Sequence, residues 1–151
     1  MATMRAVTKG SAQPDPVGEL RFTVVLAPDL NIGRFMECTG MSVEIETKDY
    51  MEGGSNDFVH KLPTRVKYPN IVLKRGVTHE DALLKWFWES RSAVQRRDMT
   101  ISLLGPGAKP VRTWAFVNAY PVKWTGPNLN ANSNAVASEQ LEIVHNGLRV
   151  V

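Results

Sequence analysis

The sequence predicts an α+β fold that is mostly β, on three observations. Several segments alternate apolar and polar residues, or are short apolar runs bounded by Gly, Pro and Asn, which is typical of strands. One segment, from Thr78 to about Arg91, has the apolar spacing of a helix. The chain has 151 residues, of which 43% are hydrophobic and 22% charged, as in a single globular domain.

The chain is predicted to begin with an arm and to continue as one domain. Residues 1–18 are expected to be flexible or extended, because Pro14 and Pro16 lack backbone N–H donors and disfavour helix. The domain then covers residues 19–151. Its first strand is predicted over Leu20–Ala27.

The next strand is predicted over Ser42–Lys48, where apolar and charged residues alternate. Such alternation favours one face in a core and one face in water. The following segment, Asp49–Tyr68, contains Gly53, Gly54 and Pro63 and is predicted to be a loop. A loop this long within a compact domain is typically functional, so we expect it to be a contact element.

A strand over Pro69–Arg75 precedes the helix, whose start resembles a capping box at Thr78–Asp81. An apolar stripe on the helix is predicted to contact the core, and it consists of Leu83, Leu84, Phe87 and Trp88. Trp86 lies off this stripe and is predicted to be exposed.

The C-terminal third reads as antiparallel strands. A hairpin is predicted from Asp98 to Asn118, with a Gly- and Pro-rich turn. A short strand at Val122–Thr125 and a long one at Ala135–His145 follow.

The sequence offers little catalytic chemistry. The histidines, His60, His79 and His145, are far apart and lack the spacing of metal ligands. Glu44 and Glu46 share a strand face and are the one candidate carboxylate pair. No cofactor or metal site is predicted, and the single Cys38 is predicted to be a small buried residue.

Charge and hydropathy restrict the partners. The 18 Lys and Arg residues exceed the 15 Asp and Glu residues by only three, too few to imply a polyanionic partner. Lys61, Arg65 and Lys67 lie near Tyr68, as in a single-strand binder, but acidic residues are interspersed. We expect no membrane span and no cleaved signal peptide, since the chain has no long apolar run.

Six strings in a fixed order are more specific, although each alone is weak. The first comprises Arg21, Phe22 and Val24 with Gly33, Phe35, Glu37, Cys38, Thr39, Gly40 and Met41. The next two are Tyr50, Met51, Glu52, Gly53, Gly54 and then Lys61, Leu62, Pro63. The last three are Ile71 to Gly76 followed by Trp86; Trp114, Phe116, Asn118, Ala119, Pro121, Lys123, Trp124; and Glu139, Leu141, His145, Gly147, Leu148.

Together these strings resemble the tail tube family of contractile phage tails and phage-tail-like injection particles, from about Leu20 to Leu148. The chain departs from the family pattern at Thr64, where glycine is usual, and at Asn146, where glutamate is common. The resemblance implies a two-sheet β-barrel or sandwich with one packed helix, whose strands join those of neighbours in a hexameric ring.

The resemblance also implies a non-enzymatic structural role without a cofactor. Rings would stack into a hollow inner tube within a contractile sheath, and baseplate and capping proteins would contact the tube ends. Cargo would pass along the lumen, and no stable nucleic-acid binding is expected. We expect assembly in the cytoplasm, and any release of the particle without a signal peptide.

Within this resemblance, residues receive expected roles. The ring-stacking loop would use Tyr50, Met51, Glu52, Gly53, Gly54, Lys61, Leu62 and Pro63. The lumen-facing candidates are Glu44, Glu46, Lys48, Thr100 and Ser102. Trp86, on the outer face of the helix, would contact a neighbour or the sheath.

Three alternatives stay open at this point. A baseplate protein that initiates the tube would share the same fold and strings. A small β-barrel could bind single-stranded nucleic acid through Lys61, Arg65, Lys67 and Tyr68. An enzyme could use Glu44 and Glu46.

Overall fold

The computed structural model describes residues 21–51, 53–54, 58–79 and 81–151, which form ten strands and one α-helix. The predicted arm, residues 1–18, and Glu52 of the predicted contact loop lie outside these residues. The strands are β1 (Arg21–Leu26), β2 (Leu30–Phe35), β3 (Glu37–Thr39), β4 (Glu44–Tyr50), β5 (His60–Lys67), β6 (Ile71–Gly76), β7 (Arg97–Leu104), β8 (Pro110–Thr125), β9 (Ser138–Val144) and β10 (Gly147–Val150); the helix is α1 (Ala82–Ser92).

Eight strands form one antiparallel sheet in the order β2-β1-β7-β8-β9-β6-β3, with β10 paired to β8. Its two halves share β8, whose first part pairs with β7 and β10 and whose last part pairs with β9. In the described residues β2 and β3 end the sheet unjoined, so it is not a closed barrel. The predicted mostly-β, two-sheet fold with one helix is confirmed.

Strand β8 corrects one detail of the prediction. The separate strands expected up to Asn118 and over Val122–Thr125 are one continuous strand. Asn118 has a left-handed backbone with φ of 52°, and its N–H donates to Asp98 Oδ1 at 3.1 Å. This side-chain acceptor satisfies the amide where β8 passes from one half of the sheet to the other.

Both halves of the sheet and the helix contribute to one hydrophobic core. Its buried members are Val24, Leu26, Ile32, Phe35, Ile71, Leu73, Leu83, Trp86, Met99, Ile101, Phe116, Ala119, Leu141 and Ile143. Strands β6, β7 and β9 bury alternate residues, as their sequences predict.

The second sheet has only two strands, β4 and β5, and it overturns two expectations. The segment Asp49–Tyr68 is not a loop throughout, because His60–Lys67 forms β5 and pairs with β4. The predicted core face of β4 is also wrong: the strand is exposed on both faces except at the half-buried Glu46. The reason is that no second layer of the described chain covers this hairpin.

Helix α1 corrects two further predictions. It begins at Ala82 with Asp81 at the N-cap, three residues after the expected cap Thr78, and the Asp81 side chain makes no capping hydrogen bond. Trp86, predicted to be exposed, is only 1% exposed, since Leu83, Trp86 and Ser90 form the buried face. The helix has 11 residues. In the described part of the chain, no helix is long and apolar enough to cross a bilayer.

Gly40 fixes the path from β3 toward the hairpin. It has a φ of 89°, and a Cβ there would lie 2.0 Å from the Asn70 carbonyl oxygen. Only glycine combines this backbone conformation with so close an approach to the start of β6.

Candidate functional site

The β4–β5 hairpin has a charged face on which opposite charges meet across the strands. Arg65 Nε donates to Glu46 Oε2 at 2.6 Å, and Glu44 lies opposite Lys67 in the register. The hydrogen bond and the charge of Arg65 lower the pKa of Glu46, which therefore stays ionised. These pairs match opposite charges across the two strands in the observed register, and Thr64 Oγ1 also donates to the Glu46 carbonyl at 2.9 Å.

The other face of the hairpin carries exposed apolar side chains at its open end, and Asp49 opposite Lys61 lies further along it. Ile45 and Val66 are opposite each other, and Val43 lies just before β4. Ile45 is 57% exposed and Val66 48% exposed. Contiguous exposed apolar surface of this kind marks a contact surface. We call Val43, Ile45 and Val66 the apolar hairpin face.

The predicted ring-stacking residues occupy the outer part of the same hairpin. Tyr50 ends β4, and the exposed Met51 follows it, with Gly53 and Gly54 in a turn beyond. The string Lys61, Leu62, Pro63 lies within β5 and not at the end of a loop, and its side chains are exposed. Phe58, which the sequence did not single out, adds 62% exposed aromatic surface and packs on the His60 ring at 4.6 Å.

The structure divides the lumen-facing candidates between the two sheets. Glu44, Glu46 and Lys48 lie on β4 of the hairpin, whereas Thr100 and Ser102 lie on β7 of the large sheet. Thr100 and Ser102 are half-buried on the face of β7 opposite the core residues Met99 and Ile101.

That face of the large sheet presents small side chains. Ser102 Oγ and Thr113 Oγ1 are hydrogen-bonded at 3.0 Å, and Thr23 lies opposite Ser102 on the other side. Ala115 lies opposite Thr100. Hydroxyl side chains therefore lie together at the middle of this face, with Arg21 and Arg149 nearer its edges.

Three strands of the large sheet are open to further pairing. In the described residues β2, β3 and β10 each pair with one neighbour only. Their unpaired edges offer backbone N–H and C=O groups to another strand.

The exposed face of α1 belongs to Trp88, not to Trp86. Trp88 is 51% exposed, and the Arg91 guanidinium lies 5.3 Å from its ring centroid. An exposed aromatic with a cation stacked on it suits a protein contact. Leu83, Trp86 and Ser90, spaced at i, i+3 and i+7, also lie on one side of the helix, and this side is the buried one.

The geometry does not support an acid–base pair or a stacking platform. Glu46 is held as a carboxylate by Arg65, and no neighbouring group shields Glu44. Tyr68 is half-buried against His145, with ring centroids 5.4 Å apart. No group of three His, Cys, Asp or Glu residues in the described chain is arranged to hold a metal ion.

A buried ion pair joins both halves of the large sheet. Arg75 Nε donates to Glu139 Oε1 at 2.6 Å, and Nη1 donates to the Ile32 carbonyl at 2.9 Å. Trp124 Nε1 donates to Glu139 Oε2 at 3.2 Å, and Phe35 packs below the guanidinium. The sequence strings contained Arg75 and Glu139 but gave no sign that they meet.

Comparisons with known proteins agree on one family. The model of the T4-like virus tail tube protein gp19 family matches residues 18–149. None of the curated proteins compared matches the chain.

Three solved structures are similar over nearly the whole chain. A chain of the anti-feeding prophage baseplate is 27% identical, with coverage of 93% of this chain and 97% of that one and a TM-score of 0.77. A chain of the anti-feeding prophage cap, described as tube-terminating, is 26% identical, with 98% and 99% coverage and a TM-score of 0.77. A chain of the sheath-tube complex of the extracellular contractile injection system PVC is 25% identical, with 97% and 99% coverage and a TM-score of 0.77.

Proposed function

The chain belongs to the T4-like virus tail tube protein family, and we propose that it is the inner tube subunit of a phage-tail-like contractile injection system, assembled as stacked hexameric rings around a bore. The whole-chain similarity to subunits of such particles supports this role. The family is structural, and the subunit acts mechanically, without a cofactor and without enzymatic activity.

The observation that carries the proposal is the free-standing hairpin with its apolar face. Val43, Ile45 and Val66 are exposed in the single chain although they have the composition of a buried face. Such surface is stabilised when another molecule covers it. A second copy of the chain can cover this surface, because other copies are present wherever the protein is synthesised.

The open strand edges supply the second kind of joint. A head-to-tail ring uses two different patches on each subunit, and stacking uses two more. The edges of β2, β3 and β10 suit pairing within a ring, because a closed ring leaves no edge exposed. The hairpin then reaches the adjacent ring through Tyr50, Met51, Glu52, Gly53, Gly54, Lys61, Leu62 and Pro63, and many weak repeated contacts stiffen the tube.

The bore is lined, in this proposal, by the small-residue face of the large sheet around Thr100 and Ser102. The charged hairpin face with Glu44, Glu46 and Lys48 lines it as well. Short hydroxyl side chains keep a wall even and wet, and paired charges leave little net field. Cargo therefore slides past without strong binding sites.

The remaining partners contact the outside and the ends of the tube. Trp88 and Arg91 on α1 face the sheath or a neighbouring subunit, in the place first expected of Trp86. Baseplate and capping proteins bind the exposed rings at the two ends. Assembly takes place in the cytoplasm, before the particle is complete.

The experiment compares assembly of the wild type with an I45S/V66S variant. Both side chains are exposed in the single chain, so the variant keeps the wild-type melting temperature. We expect wild-type protein to sediment as rings or tubes when a baseplate template is supplied, and the variant to remain as single chains. V136S, at a site 77% exposed and outside the hairpin, is the matched control and should assemble normally. Full-length tubes formed by I45S/V66S would contradict the proposal.

A further inference from the structure

The face of the large sheet that carries Thr100 and Ser102 also carries exposed arginines at its sides. Residues paired across neighbouring strands point to the same face of a sheet. Ser102 lies between Thr23 and Thr113 in the register, and Thr23 lies opposite Arg34 of β2. This row of hydroxyl side chains therefore ends at a guanidinium group.

Two further arginines lie on the same face. Arg149 of β10 and Thr100 of β7 both lie opposite Ala115, so they share a second row. Arg21 precedes Thr23 by two positions in β1, and strand alternation places both on one face. We define the arginine face by three exposed residues, Arg21, Arg34 and Arg149.

Positive charge dominates this half of the sheet. Among strands β1, β2, β7, β8 and β10, Asp98 is the one carboxylate, and its Oδ1 accepts the Asn118 N–H at 3.1 Å. Arg34 and Arg149 form no ion pair within the described part of the chain. Opposite charges meet across the strands of the hairpin instead, so the arginine face sets the sign of the potential in front of the large sheet.

We propose that the arginine face attracts a cargo polypeptide with an acidic surface. The inference rests on the proposed tube function, which places this face along the bore, and it names the chemical class of the cargo. Guanidinium groups bind carboxylates through paired hydrogen bonds. Each exposed contact of this kind is weak, so a wall that repeats it on every subunit holds cargo in the bore and still lets it slide.

Nucleic acid fits this face less well than a polypeptide. The paired residues on this face, from the row of Arg21 to the row of Arg149, are Arg, Thr, Ser, Ala, Val, Leu and Pro, and none has an aromatic ring on which a base could stack. Duplex DNA carries a charge about every 1.7 Å along its axis, so it would contact many arginines at once and bind tightly. An acidic polypeptide has fewer charges per unit length, which suits a cargo that must move.

The test measures which charged probe the assembled tubes retain. Wild-type tubes are assembled on a baseplate template in the presence of fluorescent poly-glutamate, poly-lysine or a single-stranded oligonucleotide of equal length, then sedimented and washed. We expect the pellet to retain several-fold more poly-glutamate than poly-lysine at about 0.1 M salt, and this difference to shrink at about 0.5 M, because salt screens exposed charges. Equal retention of the two peptides would overturn the inference, and so would stronger retention of the oligonucleotide than of poly-glutamate.

Two variants locate the effect on the arginine face. R34S/R149S should lose most of the preference for poly-glutamate. R112S is the matched control and should keep it, because Arg112 is exposed but lies on the opposite face of β8 from Thr113. Electron microscopy confirms beforehand that each variant forms tubes. R34S/R149S tubes that retain as much poly-glutamate as the wild type would contradict the role given to this face.

The outcomes separate this inference from the tube proposal. Wild-type tubes without a preference between the peptides would overturn the acidic cargo while leaving the tube intact. Wild-type protein that never assembles on a template would overturn both. The comparison of probes in the wild type needs no substitution, so it decides the inference even if R34S/R149S fails to assemble.

Discussion

Arg75 and Glu139 form the one charged pair that the described chain buries, with side chains 3% and 11% exposed. Burying two charges is costly, so each depends on the other and on the added donors and acceptors around them. The pair connects β6 to β9, and its bond to the Ile32 carbonyl connects both to β2. Replacing Glu139 therefore removes the carboxylate that Arg75 Nε binds inside the protein.

We predict that E139A lowers the free energy of unfolding by about 3–5 kcal/mol, measured by urea denaturation of the single chain at neutral pH. E46A is the matched control, because Glu46 also binds an Arg Nε at 2.6 Å but in the exposed hairpin. Its effect should fall within experimental error. Equal losses in the two variants would contradict the structural role given to the buried pair.

His145 makes stability depend on pH. Burial against Phe116 and Tyr68 lowers the pKa of this imidazole, and carbonyl contacts at Gly147 and Pro69 oppose the effect. The unfolded chain then binds a proton more readily than the folded chain. Stability is full above the ordinary value of 6.5 and falls as the pH decreases below it.

We expect the melting temperature of the wild type to decrease as the pH is lowered from 7 to 5. The decrease should be smaller for H145F. H79Q, at an exposed site before α1, serves as the comparison and should keep the wild-type pH profile. Identical slopes for H145F and the wild type would show that His145 does not titrate differently on folding.

At the level of elements, helix α1 has one tryptophan in the core and another on the surface. Trp86 packs with Leu83 in the core, and Trp88 lies outside under Arg91. W86A should therefore cost about 3–5 kcal/mol of stability, as expected for an emptied aromatic site. W88A should leave urea unfolding almost unchanged and weaken co-sedimentation with the sheath.

The two tryptophan variants test the orientation of the helix together. Destabilisation by W88A and none by W86A would restore the orientation that the stripe Leu83, Leu84, Phe87, Trp88 first indicated. The sequence could not decide between them, because α1 is apolar around more than half of its circumference.

The strands of the large sheet other than β2, β3 and β10 were predicted, and so was β4 of the hairpin, whereas β5 was not. β6 and β9 bury alternate residues in a core made by their own chain, so alternation in the sequence identifies them. β5 contains Pro63 within a bulged pairing and has no buried face in the single chain. Without a buried face its sequence lacks the alternation that identifies a strand, so it was predicted to be a loop.

Over the whole molecule, the ordered strings in the sequence were sufficient to identify the family. They did not show which faces of the strands and of the helix are buried. They contained Gly40, whose missing side chain lets β3 approach β6, and both Arg75 and Glu139, but nothing in them showed that these two side chains meet in the core. They also drew attention to the hairpin, whose exposed residues the fold leaves uncovered. No pattern in the sequence of one chain specifies which surface of another copy contacts these exposed hairpin residues.

The proposed assembly rests on what the fold leaves open, which is three strand edges and the apolar hairpin face. Each is unfavourable for an isolated subunit and would be satisfied if copies join.

Cryo-electron microscopy of the purified protein, assembled on a baseplate template, tests this account most directly. We predict hollow tubes of stacked hexameric rings, with the hairpin of each subunit lying on an adjacent subunit and Thr100 and Ser102 facing the bore. Single chains that remain dispersed on the template, or tubes in which the hairpins project into solvent, would contradict it.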